Sequence, residues 1–155
     1  MSVTIDITVS DSIETEADVP EPSLLQSWAA AAYLSKVPVI ASLLVTSSAE
    51  IRQLNKQYRN KDEPTNVLSF PMQSPADVDI SLLGDIVLCA AIIKQEASVQ
   101  AKPEASHWAH MVVHGMLHLQ DFDHVKNEEA EDMEQMEIAI LKRLGFANPY
   151  KNPHN

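Results

Sequence analysis

The chain has a single cysteine among 155 residues, Cys89, so no disulfide can form within it. That fits a reducing compartment. The cysteine stands in "DIVLCAAII", an apolar setting that predicts a buried packing residue, not a reactive thiol. Only three glycines are present, and no segment is compositionally biased enough to suggest a disordered or fibrous chain. No apolar run approaches the roughly 20 residues needed to span a bilayer. The opening "MSVTIDITVS" lacks the basic start and long apolar stretch of a signal peptide and reads as an alternating strand. The expected setting is the cytoplasm, with no membrane association. Basic residues are also scarce, 11 against 22 acidic, for a formal charge of −11. Binding nucleic acid relies on cationic groups, so this balance argues against a generic binder.

What is present is unevenly placed. Between Ile51 and Lys61 lie Arg52, Lys56, Arg59 and Lys61 with no acidic residue, whereas Glu128 to Glu137 holds six carboxylates and no base. The length and the 45% hydrophobic content suit one domain over 1–155 with a real core. After the first strand, periodicity predicts a helix from about Ser23 to Ser35 with Leu24, Leu25, Trp28 and Ala32 on one face. "VPVIASLLV" predicts a buried strand over Val39–Val45. Ser47 and Glu50 have capping-box spacing and open a helix to about Tyr58, its apolar side formed by Ile51, Leu54 and Tyr58 and its basic side by Arg52, Lys56 and Arg59. "VLSFP" and "LLGDIVLCA" read as strands, the second passing into a helix from about Ala90 to Gln100. Lys102-Pro103-Glu104 begins another helix, and a last one runs from about Glu128 to Leu144, burying Met133, Met136, Ile140, Leu141 and Leu144 and capped by Gly145. The expected fold is α+β: a small mixed sheet of about four strands covered by about five helices.

The chemistry concentrates in "HGMLHLQDFDH", three histidines in eleven residues. His114 and His118 are one helical turn apart on one face, the spacing that lets two imidazoles share a tetrahedral ion. His124 can join them only if the helix ends after about Leu119 and "QDFD" turns the chain back. Three protein ligands leave one position open, as in catalytic sites. His107 and His110 fall on the same stripe but one and two turns earlier; they are expected to be surface or packing histidines. His154 lies in the tail. Where H-E-x-x-H proteases carry a glutamate as general base, this chain has Gly115, which makes a protease the least favoured reading. Either a bound metal alone would supply hydroxide or a nearby carboxylate, Asp123 or Asp121, would assist; Asp123 could equally orient a histidine, which is the preferred role.

Together, "LNKQYRNKDEPTNVLSFP", "LLGDIVLC", "HWAHMVVHGMLHLQDFDH" and the acidic last helix ending in "LKRLGF" resemble the bacterial YbeY endoribonucleases, a family of rRNA maturation factors. The resemblance spans about Leu54 to Gly145. It implies a zincin-like metal helix behind the sheet and one zinc-type ion on His114, His118 and His124, for which nickel or cobalt would also suit three imidazoles. It implies cleavage of single-stranded RNA, with 16S rRNA 3′ end maturation and ribosome quality control as the setting. The partners would then be 16S rRNA, the small ribosomal subunit and its assembly proteins. It marks Arg59 as a functional cation near the cleft. Either water or the RNA 2′-hydroxyl remains open as the attacking group. A ribosome-assembly module with a structural metal is the alternative. Two positions depart from the family pattern: Asn66 stands where aspartate is usual, and Asp121 where glycine is usual.

Overall fold

The computed structural model describes residues 3–14, 18–72, 81–120 and 127–150, with side chains of the last helix described from 131 onward. Strand β1 (Val3–Val9) leads to helix α1 (Pro22–Ala31), strand β2 (Val39–Thr46), helix α2 (Ser48–Arg59), strand β3 (Val67–Pro71) and strand β4 (Ser81–Cys89). Helices α3 (Ala90–Val99), α4 (Glu104–Leu119) and α5 (Asn127–Arg143) follow. The strands form one sheet in the order β1-β2-β4-β3, with β1, β2 and β4 parallel and β3 antiparallel on the edge beside β4. The expected α+β architecture is the one observed.

Alternation along the strands divides the core between two faces of the sheet. Ile86 and Leu88 of β4 join Val39, Ala41, Leu43 and Val45 of β2 under α1, α4 and α5. Val87 and Cys89 point the other way, onto Ile51 of α2 and Leu68 of β3. Cys89 is the buried packing residue its setting predicts. Helix α1 is shorter than its periodicity suggests: its last turn closes with Ala32 and Tyr33 donating to Ala29 and Ala30 three residues back. Leu25, Trp28, Ala29 and Ala32 are buried, but Leu24 is exposed. Similarly, α2 buries Ile51 and Asn55, leaving Tyr58 largely exposed at the edge of the sheet.

Helix ends follow local chemistry. Ser47 accepts from the Glu50 N–H at 3.2 Å, half of a capping box. The Glu50 carboxylate turns instead to the Ser10 and Ser12 hydroxyls, and Glu14 takes the Ser48 N–H at 2.8 Å. At the end of α5, Gly145 has φ +92°, its N–H donates to the Lys142 carbonyl, and the Phe146 N–H donates to the Leu141 carbonyl. That pair of bonds is a Schellman motif, which needs a left-handed residue and places Phe146 edge-on to Trp28 at 5.9 Å.

Helix α4 passes through the middle of the molecule, with eleven of its sixteen residues buried. Such a helix is apolar nearly all round, so its polar residues stand out. Gly115 lets it lie close to the sheet: a Cβ there would meet Ile86 Cγ2 at 3.0 Å and Cδ1 at 3.3 Å.

Candidate metal centre

Helix α4 starts at Glu104 just after Pro103 and ends at Leu119, as the proline and the need for a turn predict. Its end is held by Gln120, whose side-chain amide donates to the Ala32 and Met116 carbonyls and whose oxygen accepts the Leu34 N–H at 2.8 Å. The last turn of α4 is therefore fixed to the end of α1, which sets where the chain leaves the helix.

Along α4 the histidines form a continuous stripe. Ring centroids of His107 and His110 are 6.2 Å apart, those of His110 and His114 are 6.3 Å apart, and those of His114 and His118 are 4.6 Å apart. The Nε2 atoms of His114 and His118 lie 3.1 Å from each other. Two imidazole nitrogens on one tetrahedral ion, each about 2.0–2.1 Å from it, sit roughly 3.3 Å apart. Both rings are only half-buried.

The other side of the stripe is buried and acidic. Glu137 of α5 is 1% exposed. Its Oε1 is 3.0 Å from His114 Nδ1 and its Oε2 is 2.8 Å from His110 Nε2. The Tyr150 hydroxyl donates to it at 2.6 Å. Burial pushes the Glu137 carboxyl upward, but the hydrogen bonds and charge of His110 and His114 outweigh this and hold it at about 2. The same burial and the carboxylate raise the Tyr150 phenol. Earlier on the helix, buried His107 bonds Glu96 of α3 at 2.9 Å, and Asn66 donates to both Glu96 oxygens at 3.1 and 3.2 Å. Burial, exceeding the pull of Glu96, keeps the His107 imidazole below its ordinary value. Both earlier histidines are buried, each with one ring nitrogen hydrogen-bonded to a carboxylate.

His110, His114 and Glu137 together could hold a metal ion, their ligand atoms all within 4.8 Å of one another. That set and the His114–His118 pair share one residue. They differ in the nitrogen it uses, Nδ1 toward Glu137 and Nε2 toward His118.

Comparison with known families places the chain. The family model of endoribonuclease YbeY matches residues 13–145. This chain belongs to the YbeY endoribonuclease family. The fold is also similar to that of a solved structure, TM1509 from Thermotoga maritima, at a TM-score of 0.54. The alignment has 23% identity and covers 96% of this chain and 99% of that one.

Within this chain, the residues singled out by sequence divide into three groups. His114 and His118 are brought together. Arg59 stands apart on α2, donating to the carbonyl of Ser69 on edge strand β3 at 2.7 Å, with its guanidinium 5.7 Å from the Phe70 ring. Ser69 in turn donates its hydroxyl to the Gly115 carbonyl at 3.4 Å, so two hydrogen bonds link Arg59 to the residue after His114. His124, Asp121, Asp123 and His154 lie outside the described residues. Sequence reasoning missed Glu137 and Tyr150. For Glu137 a signal existed: it is four residues after Met133 and three before Ile140, both buried, so it occupies an inward position of α5.

Proposed function

We propose that this protein is a single-strand-specific, metal-dependent endoribonuclease of rRNA processing, acting in 16S rRNA 3′ end maturation and ribosome quality control. In this reading it works in the cytoplasm on the small ribosomal subunit and its assembly proteins, as a single domain over 1–155. The observation that carries the reading is the 3.1 Å approach of His114 and His118 Nε2 in a chain of the YbeY endoribonuclease family.

His114 and His118 would hold one ion, zinc in the first instance with nickel or cobalt as substitutes, and His124 would complete the set. The fit rests on two converging half-exposed imidazoles and on a carboxylate behind one of them, the usual partner of a ligating histidine. When bound, such an ion supplies Lewis-acid stabilisation of charge on a phosphodiester. The chain supplies the rest. One guanidinium N–H of Arg59 is taken by Ser69, and the exposed remainder of its fork can pair with a phosphate. Lys56 and Lys61 are exposed in the same segment, while Arg52 is engaged by Asp62 at 2.8 Å. Tyr58, exposed and edge-on to Phe70 at 5.3 Å, offers a ring on which an unpaired base can stack. Asp123 is assigned the orientation of a histidine.

The test is cleavage of single-stranded rRNA fragments by purified protein, with His114→Ala and Arg59→Glu compared in parallel. Cleavage by the wild type that is lost in His114→Ala and reduced in Arg59→Glu supports the reading. Equal activity in all three proteins refutes it.

A further inference from the structure

Tyr150 lies beyond the region that the family model matches, which ends at 145. It nonetheless reaches the middle of the histidine stripe. Its hydroxyl is 2.6 Å from Glu137 Oε2, 3.1 Å from Oε1 and 3.3 Å from His110 Nε2, and its ring stands edge-on to His110 at 5.4 Å. The segment carrying it is fastened by three contacts. Phe146 packs against Trp28, the Lys102 ammonium donates to the Pro149 carbonyl, and the Tyr150 N–H donates to Asn148 Oδ1 at 2.8 Å.

A carboxylate that is 1% exposed needs hydrogen-bond donors to offset its lost hydration, and Glu137 has three: His110, His114 and Tyr150. They approach from α4 and from the C-terminal segment, so the carboxylate cannot rotate without losing at least one. Held there, Oε1 accepts from His114 Nδ1. An imidazole with its proton on Nδ1 presents the lone pair of Nε2, and that is the nitrogen facing His118.

We infer that Glu137 and Tyr150 form a positioning latch: Tyr150 orients Glu137, and Glu137 fixes the tautomer and ring orientation of His114 while remaining outside the coordination sphere. The inference rests on the proposed reading that His114 and His118 bind the ion through Nε2. It assigns to Tyr150 and Glu137 an effect on metal affinity, separate from any effect on folding.

Zinc affinity of the full-length metal-free protein, measured by competition with a chromophoric chelator, tests it. The proteins compared are wild type, His118→Ala, Glu137→Gln, Tyr150→Phe and the Glu137→Gln/Tyr150→Phe double variant. Loss of an orienting partner typically weakens metal binding about 10–100-fold, so Glu137→Gln should fall in that range and Tyr150→Phe near its lower end, about tenfold. The double variant should be within about twofold of Glu137→Gln, because Tyr150 acts through Glu137. A purely structural tyrosine would lower thermal stability and leave zinc affinity in place. If Glu137→Gln fails to fold by circular dichroism, Tyr150→Phe, which removes one hydroxyl, carries the test by itself. A wild type that binds no zinc, or a His118→Ala protein that binds as well as wild type, overturns the site reading and the latch with it. Weakened His118→Ala alongside unchanged Tyr150→Phe and Glu137→Gln overturns the latch alone. Abolished binding in Glu137→Gln makes Glu137 a ligand and also overturns it.

Discussion

Replacing Gly115 by alanine sets two effects of known size against each other. In the interior of a helix, alanine is more favourable than glycine by about 1 kcal/mol, because glycine loses more backbone freedom on folding. At this position, however, the added Cβ would stand 3.0, 3.3 and 3.4 Å from three side-chain atoms of Ile86, a fully buried residue of β4. Adding a methyl to a packed core costs about 1–3 kcal/mol. The net expectation for Gly115→Ala is destabilisation of up to about 2 kcal/mol. The assay is the urea midpoint of the metal-free protein by circular dichroism, with unchanged slope as the check that only stability moved. Relief should come from Ile86→Ala, which removes the opposing atoms and itself costs about 2–5 kcal/mol. In that background, measured in sulfate to keep the protein folded, alanine at 115 should become stabilising by about 1 kcal/mol. If Gly115→Ala instead stabilises the otherwise unaltered chain by the full helix-propensity increment, α4 does not approach β4 this closely. The same contact explains the missing protease glutamate sterically: a longer, charged side chain at 115 would be driven into Ile86.

Other expectations follow from the same contacts. Asn66→Asp replaces an amide donating to both Glu96 oxygens with a second carboxylate, and should lower stability at pH 7 by about 1–3 kcal/mol in chemical denaturation. The loss should shrink in a Glu96→Gln background, and no loss would contradict the placement of Asn66. Gly84 has φ +145°, and a Cβ there would lie 2.4 Å from the Phe70 carbonyl and 2.8 Å from Leu119, so Gly84→Ala should cost about 2–5 kcal/mol and be visible as a large fall in Tm. For pH, His107 and Glu137 are both held below their ordinary values, so the unfolded chain binds more protons and stability rises with pH. The contribution of His107 is complete above 6.5 and is lost as pH falls below it. That of Glu137 is complete above 4.5 and is lost toward about 2, an interval worth on the order of 3 kcal/mol. Glu137→Gln should flatten this acid limb in urea titrations of the metal-free protein, and an unchanged limb would refute the assignment.

Features legible in the sequence are those whose cause is local. Pro103 and the start of α4, Ser47 before α2 and Gly145 after α5 each act within a few residues, and each sits where it was expected. The helical period also placed His114 and His118 side by side. It did less well at the margins of an apolar stripe. Leu24 and Tyr58 lie on edges that a helical wheel includes but that the neighbouring elements do not cover, Tyr58 meeting only the edge-strand ring of Phe70 among described aromatic residues. Glu137 was hidden by its company: Glu131, Asp132 and Glu134 of the same run are exposed, and residue type outweighed a spacing that put it among Met133, Ile140 and Leu141. Tyr150 could not be found by period at all, since it follows the helix stop and meets His110 from 40 residues away. The decisive property of the centre belongs to this second kind. Spacing shows that two imidazoles are neighbours, but which nitrogen of His114 is offered depends on where its other proton goes. In the proposed latch that is decided by a carboxylate 23 residues away on α5. The stripe of histidines is written on one helix, whereas the carboxylate that meets it comes from an element packed against it.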